Sequence, residues 1–211
     1  MRYEDQRHKL VSELTQHGIV DQRVLDAFTK IPRELFVLPE YRQYAYSNKP
    51  LPIHLEQTIS QPLMIAIMFQ YLDIGKNDLV LEIGTGSGYQ SALLAELAKE
   101  VCSIERLEKL SLGAKKMISK LGYSNVYFRI GDGALGWQQA FPPHKEFDRI
   151  IVSAGAETIP PLLVKQLADN GIMAIPVGIN AQQKLHILRR RQDEISIEVH
   201  DSCAFVPLIT G

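Results

Sequence analysis

The stretch Asp78 to Tyr89, D-L-V-L-E-I-G-T-G-S-G-Y, constrains the fold more than any other part of the chain. Leu79, Val80, Leu81 and Ile83 form a short apolar run rich in branched side chains. That is the pattern of a strand buried on both faces of a parallel sheet. Gly84, Gly86 and Gly88 then allow a sharp turn and a close approach of backbone to ligand. From Gln90, Q-S-A-L-L-A-E-L-A has the composition and period of a helix. Strand, glycine turn and helix together leave backbone N–H groups free where a nucleotide-like cofactor can sit. The glycine spacing is G-x-G-x-G. Tyr89 stands where the dinucleotide fingerprint needs its third glycine, which argues against a pyrophosphate on the helix N-terminus. The next apolar run, Val101 to Glu105, ends in an acid 21 positions after Gly84. A carboxylate there can accept hydrogen bonds from both ribose hydroxyls. The same residues also suit a doubly wound domain with a glycine turn and a solvated acid.

With 211 residues, 45% hydrophobic and 22% charged, the chain fits one globular domain with an extension. The net charge of −1 offers no general field for nucleic acid or an anionic membrane. Arg189-Arg190-Arg191 is too short to read as more than a solvated strand end. No apolar run approaches the ~18 residues needed to span a bilayer. The opening M-R-Y-E-D-Q-R-H-K is too polar for a secretory signal, so a cytoplasmic protein is expected. Cys102 and Cys203 sit in apolar runs and read as buried free thiols. No C-x-x-C or His pair at ligand spacing points to a metal.

In chain order, residues 3–17 and Gln22 to about Ile31 read as amphipathic helices, the first ended by Gly18 and the second capped by Asp21. The cluster Tyr41, Tyr44, Tyr46 fits packing of an N-terminal subdomain better than base stacking. Residues 47–62 carry three prolines, so an ordered, packed loop is expected. Pro62 can occupy the first turn of the next helix. Ser60 and Gln61 therefore stand at a helix N-terminus, a place that favours an anion. Local sequence favours Ser60 as that helix's cap. Helix Leu107–Lys120, strand Val126–Ile130, strand Phe147–Ser153, a helix after Pro160-Pro161 and strand Gly171–Val177 continue the alternation. Such alternation implies a parallel, doubly wound sheet. Lys184–Arg190 and Ile195–Val199 flank Q-D-E as an antiparallel hairpin on the sheet edge. Asp132, between two glycines at a strand end, reads either as a hydrogen-bond partner for an adenine amino group or as a turn aspartate.

Set side by side, these stretches resemble the protein-L-isoaspartate (D-aspartate) O-methyltransferase family. The resemblance is carried by T-I-S-Q-P (58–62), V-L-E-I-G-T-G-S-G-Y (80–89), S-I-E-R (103–106), G-D-G-A-L-G-W (131–137), F-D-R-I-I-V-S-A-G-A-E-T-I-P-P (147–161), I-P-V-G (175–178) and F-V-P-L (205–208). It implies an α/β, Rossmann-like S-adenosylmethionine methyltransferase fold: a doubly wound, mostly parallel sheet with an antiparallel C-terminal edge and an N-terminal helical extension. The chain is expected to form one methyltransferase domain. Residues 1–62 form the helical and substrate-loop extension, 63–178 the cofactor-binding core, and 179–211 the strands completing sheet and pocket. The implied cofactor is S-adenosyl-L-methionine, bound by Glu82, Gly84, Gly86, Gly88, Glu105, Asp132 and Gly133. The implied substrate is the free α-carboxylate of an L-isoaspartyl residue in a damaged protein or peptide. Ser60 is the implied active-site residue with Thr58 in support, and Ile59, Gln61 and Val206 contact substrate. The expected state is a monomer, with no nucleic-acid or membrane partner and no metal. Two positions depart from the family pattern. His54-Leu55-Glu56 precede Q-T-I-S-Q-P where a glycine is usual, and Ala204 precedes Phe205 where an arginine is common. The alternative is an S-adenosylmethionine-dependent enzyme acting on a small molecule.

Overall fold

A computed structural model describes residues 2–179 and 182–211. Two helices open the chain, α1 (Tyr3–Gln16) and α2 (Gln22–Lys30). α1 buries Leu10 and Leu14. α2 turns Val24, Leu25, Ala27 and Phe28 inward and packs on α4. Asp21 caps α2, its carboxylate accepting from Arg23 N at 2.9 Å. Two 3-10 turns follow, Arg33–Leu35 and Pro39–Tyr44. Tyr46 is buried; it donates to Glu34 and accepts from Arg7 Nε at 2.9 Å, which fastens α1 to this segment.

Residues 47–62 hold more regular structure than the prolines suggested. Strands β1 (Leu51–Pro52) and β2 (Thr58–Ile59) pair antiparallel, Leu51 with Ile59 and Pro52 with Thr58. A 3-10 turn, His54–Glu56, joins them. Leu55 and Glu56 both lie in the left-handed region, at φ 60° and 57°. Helix α3 (Pro62–Leu72) follows with Pro62 at its first position.

The core is a seven-stranded sheet in the order β5-β4-β3-β6-β7-β8-β9. Strands β3 (Leu79–Ile83), β4 (Glu100–Glu105), β5 (Val126–Ile130), β6 (Phe147–Val152) and β7 (Leu167–Val177) run parallel. Strands β8 (Gln183–Arg191) and β9 (Glu194–Cys203) add an antiparallel edge. Helices α4 (Tyr89–Leu97), α5 (Glu108–Lys120) and α6 (Pro161–Lys165) supply crossovers. The buried run of β3 is divided by the pleat. Val80 packs with the N-terminal helices and α4, whereas Leu81 and Ile83 pack with Trp137, Phe147 and Leu163. The connections leave β3 toward β4 on one side and return to β6 on the other. That reversal opens a crevice at the carboxyl ends of β3 and β6.

Most expected elements are present with end shifts of a residue or two. β7 is the exception: it starts at Leu167, not Gly171. α6 has only five residues, and a bulge between the pairs Phe147–Leu167 and Arg149–Ile172 extends the ladder backwards. Asn170 takes φ 58° inside that bulge. The hairpin also runs longer than its apolar residues indicated, because β9 is exposed along nearly its whole length. No helix among the described residues is long and apolar enough to cross a membrane.

Candidate active site

The crevice has three walls. The first is the glycine turn. Gly84 takes φ +93° and anchors to the sheet, its N–H donating to Ile104 O at 2.9 Å. Glu105 ends β4, almost fully buried, and its carboxylate is fixed by backbone donors. Oε2 accepts from Gly86 N at 2.9 Å and Oε1 from Leu107 N at 3.0 Å. Behind this turn Glu82 is fully buried. It accepts from Ser91 Oγ, from Ser103 Oγ at 2.6 Å and from Gln90 Nε2 at 3.1 Å. Burial pushes its carboxyl up to about 7, against the pull of the Ser103, Ser91 and Gln90 donors, with the nearby Glu105 charge adding to the rise. Gln90 also donates to Ser153 Oγ at 2.7 Å, linking this cluster to the end of β6.

The second wall is the β1–β2 segment. Ser60 does not cap α3. Gln61 holds the cap position and no side chain bonds there. Instead Asn48 reaches in from fifteen residues upstream and accepts from Leu63 N at 3.0 Å, while its own carbonyl accepts from Gln61 Nε2 at 3.1 Å. Asn48 serves the N-terminal turn, and Ser60 lines the crevice. Ser60's carbonyl accepts from Arg33 Nη2 at 3.1 Å.

The third wall comes from the C-terminal residues. Gly155 N donates to Val206 O and Leu208 N donates to Gly155 O, each at 2.8 Å. The buried Gln183 side chain brackets Phe205, accepting from its N–H at 2.8 Å and donating to its carbonyl at 3.1 Å. A Cβ at position 155 would stand 2.2 Å from Gln183 Nε2, so only glycine admits this clasp. Arg106 Nη1 donates to Ile209 O at 2.9 Å.

Two chambers lie between these walls. One is lined by Thr58, Ile59, Ser60, Gly84, Gly86, Glu105, Gly133 and Val206, among others. The second, with Gln61, Met64, Ser202 and Phe205, shares Thr58, Ser60, Ser153 and Val206 with the first and has no charged side chain on its surface. Ser60 therefore stands at the junction.

Nine of the expected site residues line the chambers: Thr58, Ile59, Ser60, Gln61, Gly84, Gly86, Glu105, Gly133 and Val206. Three others lie off the walls. Glu82 is one layer behind, bracing Gln90 and Ser103. Gly88 (φ +85°) starts α4 and packs on α5, where a Cβ would come within 2.9 Å of Ala114 Cβ. Asp132 is held as a turn residue: Oδ1 accepts from Ala134 N at 2.8 Å and Oδ2 from Gly211 N at 2.9 Å. Arg33, Asn48, Gln90, Ser153 and Gln183 were not read as site residues. Each acts through a partner far along the chain, so no local pattern marks it.

Burial raises the Cys102 thiol to about 12 and the Cys203 thiol to about 11, which leaves both poor nucleophiles at neutral pH. No group of three or more His, Cys, Asp and Glu side chains suited to a metal occurs among the described residues. A turn without side chains at Gly84 and Gly86, beside the buried Glu105 carboxylate, fits the ribose of an adenosyl cofactor.

Comparison with known proteins agrees. Residues 5–211 match the family model described as protein-L-isoaspartate(D-aspartate) O-methyltransferase. A protein-L-isoaspartate O-methyltransferase of Dictyoglomus turgidum is 50% identical over 98% of this chain and 92% of its own length. One from Petrotoga mobilis is 46% identical over 99% and 98%. Among solved structures, a protein-L-isoaspartate O-methyltransferase superposes with TM-score 0.86 at 29% identity, covering 97% of this chain and 66% of that longer one. A Plasmodium falciparum structure in complex with S-adenosyl-L-homocysteine superposes with TM-score 0.82 at 23% identity and supports the fold. With crevice, glycine turn and near-complete sequence match in agreement, the chain belongs to the protein-L-isoaspartate (D-aspartate) O-methyltransferase family.

Proposed function

We propose that the chain transfers a methyl group from S-adenosyl-L-methionine to the free α-carboxylate of L-isoaspartyl residues in damaged proteins and peptides. The observation that carries this reading is the position of Ser60. It stands where a chamber suited to an adenosyl cofactor meets an uncharged chamber open to a second reactant. Among the described residues, neither His nor a carboxylate bonds the Ser60 hydroxyl, so nothing activates it as a nucleophile. The chemistry asks for no base. A substrate carboxyl with a pKa near ~4 is already ionised at neutral pH. When bound, the cofactor supplies an activated sulfonium methyl. Gly84, Gly86, Glu105 and Gly133 would hold it, the Glu105 carboxylate serving as an acceptor for ribose hydroxyls. Ser60 Oγ donates to the substrate carboxylate with Thr58 beside it. The positive end of α3 favours the same anion. Ile59 and Val206 give the first chamber apolar surface. Alignment of this kind can contribute as much as roughly 7–11 kcal/mol. The following backbone amide nitrogen then attacks the ester carbonyl and expels methanol, giving a succinimide, so the reaction begins a repair. We further propose a cytoplasmic, monomeric enzyme that works without nucleic acid or membrane. The net charge of −1 supports the absence of a general electrostatic attraction to either.

The test uses tritiated-methyl S-adenosylmethionine with two peptides, one carrying isoaspartate and one normal aspartate. Base-labile label on the isoaspartyl peptide alone is expected. No label on either, with cofactor binding intact, would pass the assignment to a small-molecule substrate.

A further inference from the structure

Arg33 is among the largest fully buried side chains of the protein, yet it has no carboxylate partner among the described residues. Its guanidinium donates to three main-chain carbonyls: Ala45 O, Lys49 O at 3.2 Å and Ser60 O at 3.1 Å. Cζ lies 5.6 Å from the centroid of the Tyr89 ring. Nε has no hydrogen-bond partner. Burying a cation among neutral groups is costly, and desolvation pulls its pKa down to about 10. A stable core has no need of such a group, since an apolar side chain of similar volume is often neutral or stabilising at such a site. The cost points to a geometric requirement.

The three acceptors show what that requirement is. They come from the two ends of one segment, 45–49 and 60. Between those ends the backbone is held by the short β1–β2 ladder and by Ile53 N donating to Gln57 O at 2.8 Å, with two left-handed residues at the tip, while Asn48 also bridges the ends through Gln61 and Leu63. A planar fork of donors can fix several carbonyls at once; an ammonium on a flexible stem cannot. The carbonyl of Ser60 shares its Cα with the side chain, so fixing the carbonyl limits where Cβ stands and leaves Oγ only its staggered χ1 positions.

We propose that Arg33 is a positioning residue for methyl transfer. By tying Ser60 O to Ala45 O and Lys49 O, it aims the Ser60 hydroxyl at the junction of the two chambers. This rests on the reading of Ser60 as the donor to the substrate carboxylate.

The test is a double-mutant cycle of Arg33→Lys and Ser60→Ala. It measures kcat on the isoaspartyl peptide and affinity for S-adenosyl-L-homocysteine, both well below the melting temperature. Ser60→Ala should lower kcat about thirtyfold, and Arg33→Lys about tenfold. Cofactor affinity should move less than about twofold in each. The double variant should be no slower than Ser60→Ala alone, because the second change then has nothing left to aim. Additive losses, or full kcat in Arg33→Lys, would overturn the proposal. Full kcat in Ser60→Ala would instead overturn the reading it rests on. Should Arg33→Lys fail to fold, the parent protein still decides. Arg33 guanidinium protons protected from exchange, and more so with isoaspartyl peptide bound, support the clamp. Exchange unaffected by peptide counts against it.

Discussion

Two walls of the crevice, the glycine turn and the Ser60 segment, rest on buried ionisable side chains of opposite sign. Behind the glycine turn, Glu82 takes hydrogen bonds from three side chains. Behind the Ser60 segment, Arg33 gives hydrogen bonds to three main-chain carbonyls. Neither makes an ion pair among the described residues. The difference is in what each holds. The backbone around Glu82 is already fixed by the ladders of β3 with β4 and β6, so Glu82 adds only side-chain order. The backbone around Ser60 has only a two-residue ladder, and Arg33 ties it to Ala45 and Lys49 beside the bonds that Asn48 makes to Gln61 and Leu63. A buried charge on a finished scaffold is a matter of stability. A buried charge on an unfinished one is a matter of geometry.

This contrast can be broken most easily at Glu82. Its folded pKa, about 7, lies above that of a free carboxyl, so the folded chain keeps a proton that the unfolded chain releases. Stability through this group is full below about pH 4 and is lost as pH rises through about 7. The expected loss is on the order of 3 kcal/mol. Denaturant midpoints across that range should slope down in the parent and stay flatter in Glu82→Gln. Parallel profiles would remove Glu82 as the source. On the cofactor side, Glu105→Ala should weaken S-adenosyl-L-homocysteine by about thirtyfold to a hundredfold, since a charged acceptor is lost; calorimetry would read it. Unchanged affinity would take Glu105 out of the cofactor set. On the substrate side, Ser60→Ala should lower kcat about thirtyfold with cofactor affinity intact. A matching fall in cofactor affinity would merge the two walls into one function. The smallest effect concerns the loop tip. Glu56 sits at φ 57°, where a Cβ is strained, so Glu56→Gly should raise unfolding free energy by up to about 1 kcal/mol. A fall would mean that the Glu56 side chain stabilises the turn by more than its strain costs.

The same contrast explains what could be read from sequence. The glycine turn announces itself because strand, turn and helix are contiguous, and each follows from local composition. Gly84 and Glu105 needed only a spacing. The fold's alternation was legible for the same reason. The second wall was not. Ser60 looked like a helix cap, because nothing near it shows that Asn48 serves the helix N-terminus instead. Arg33, directly after Pro32, carries no local signal of its role. Its partners lie 12, 16 and 27 positions away. Motif resemblance, not local physics, pointed to Ser60; the glycine turn and the strand-end position also marked Gly88 and Asp132, which stand outside the chamber linings. Asp132 is taken up by two backbone N–H groups, Gly88 by helix packing.

The third wall joins residues that lie far apart in the chain. Within the first wall, Gly86 and Glu105 are 19 positions apart. Arg106 and Ile209, which close the crevice, are 103 apart. Closing the longer loop costs more chain entropy, by about 0.6 kcal/mol for each doubling of length. A nascent or partly unfolded chain can thus own a formed sheet and glycine turn and still lack a binding site. Cofactor occupancy is then a proof of completion. Whatever fills the crevice adds its free energy only to chains that have finished folding, and by mass action holds them there.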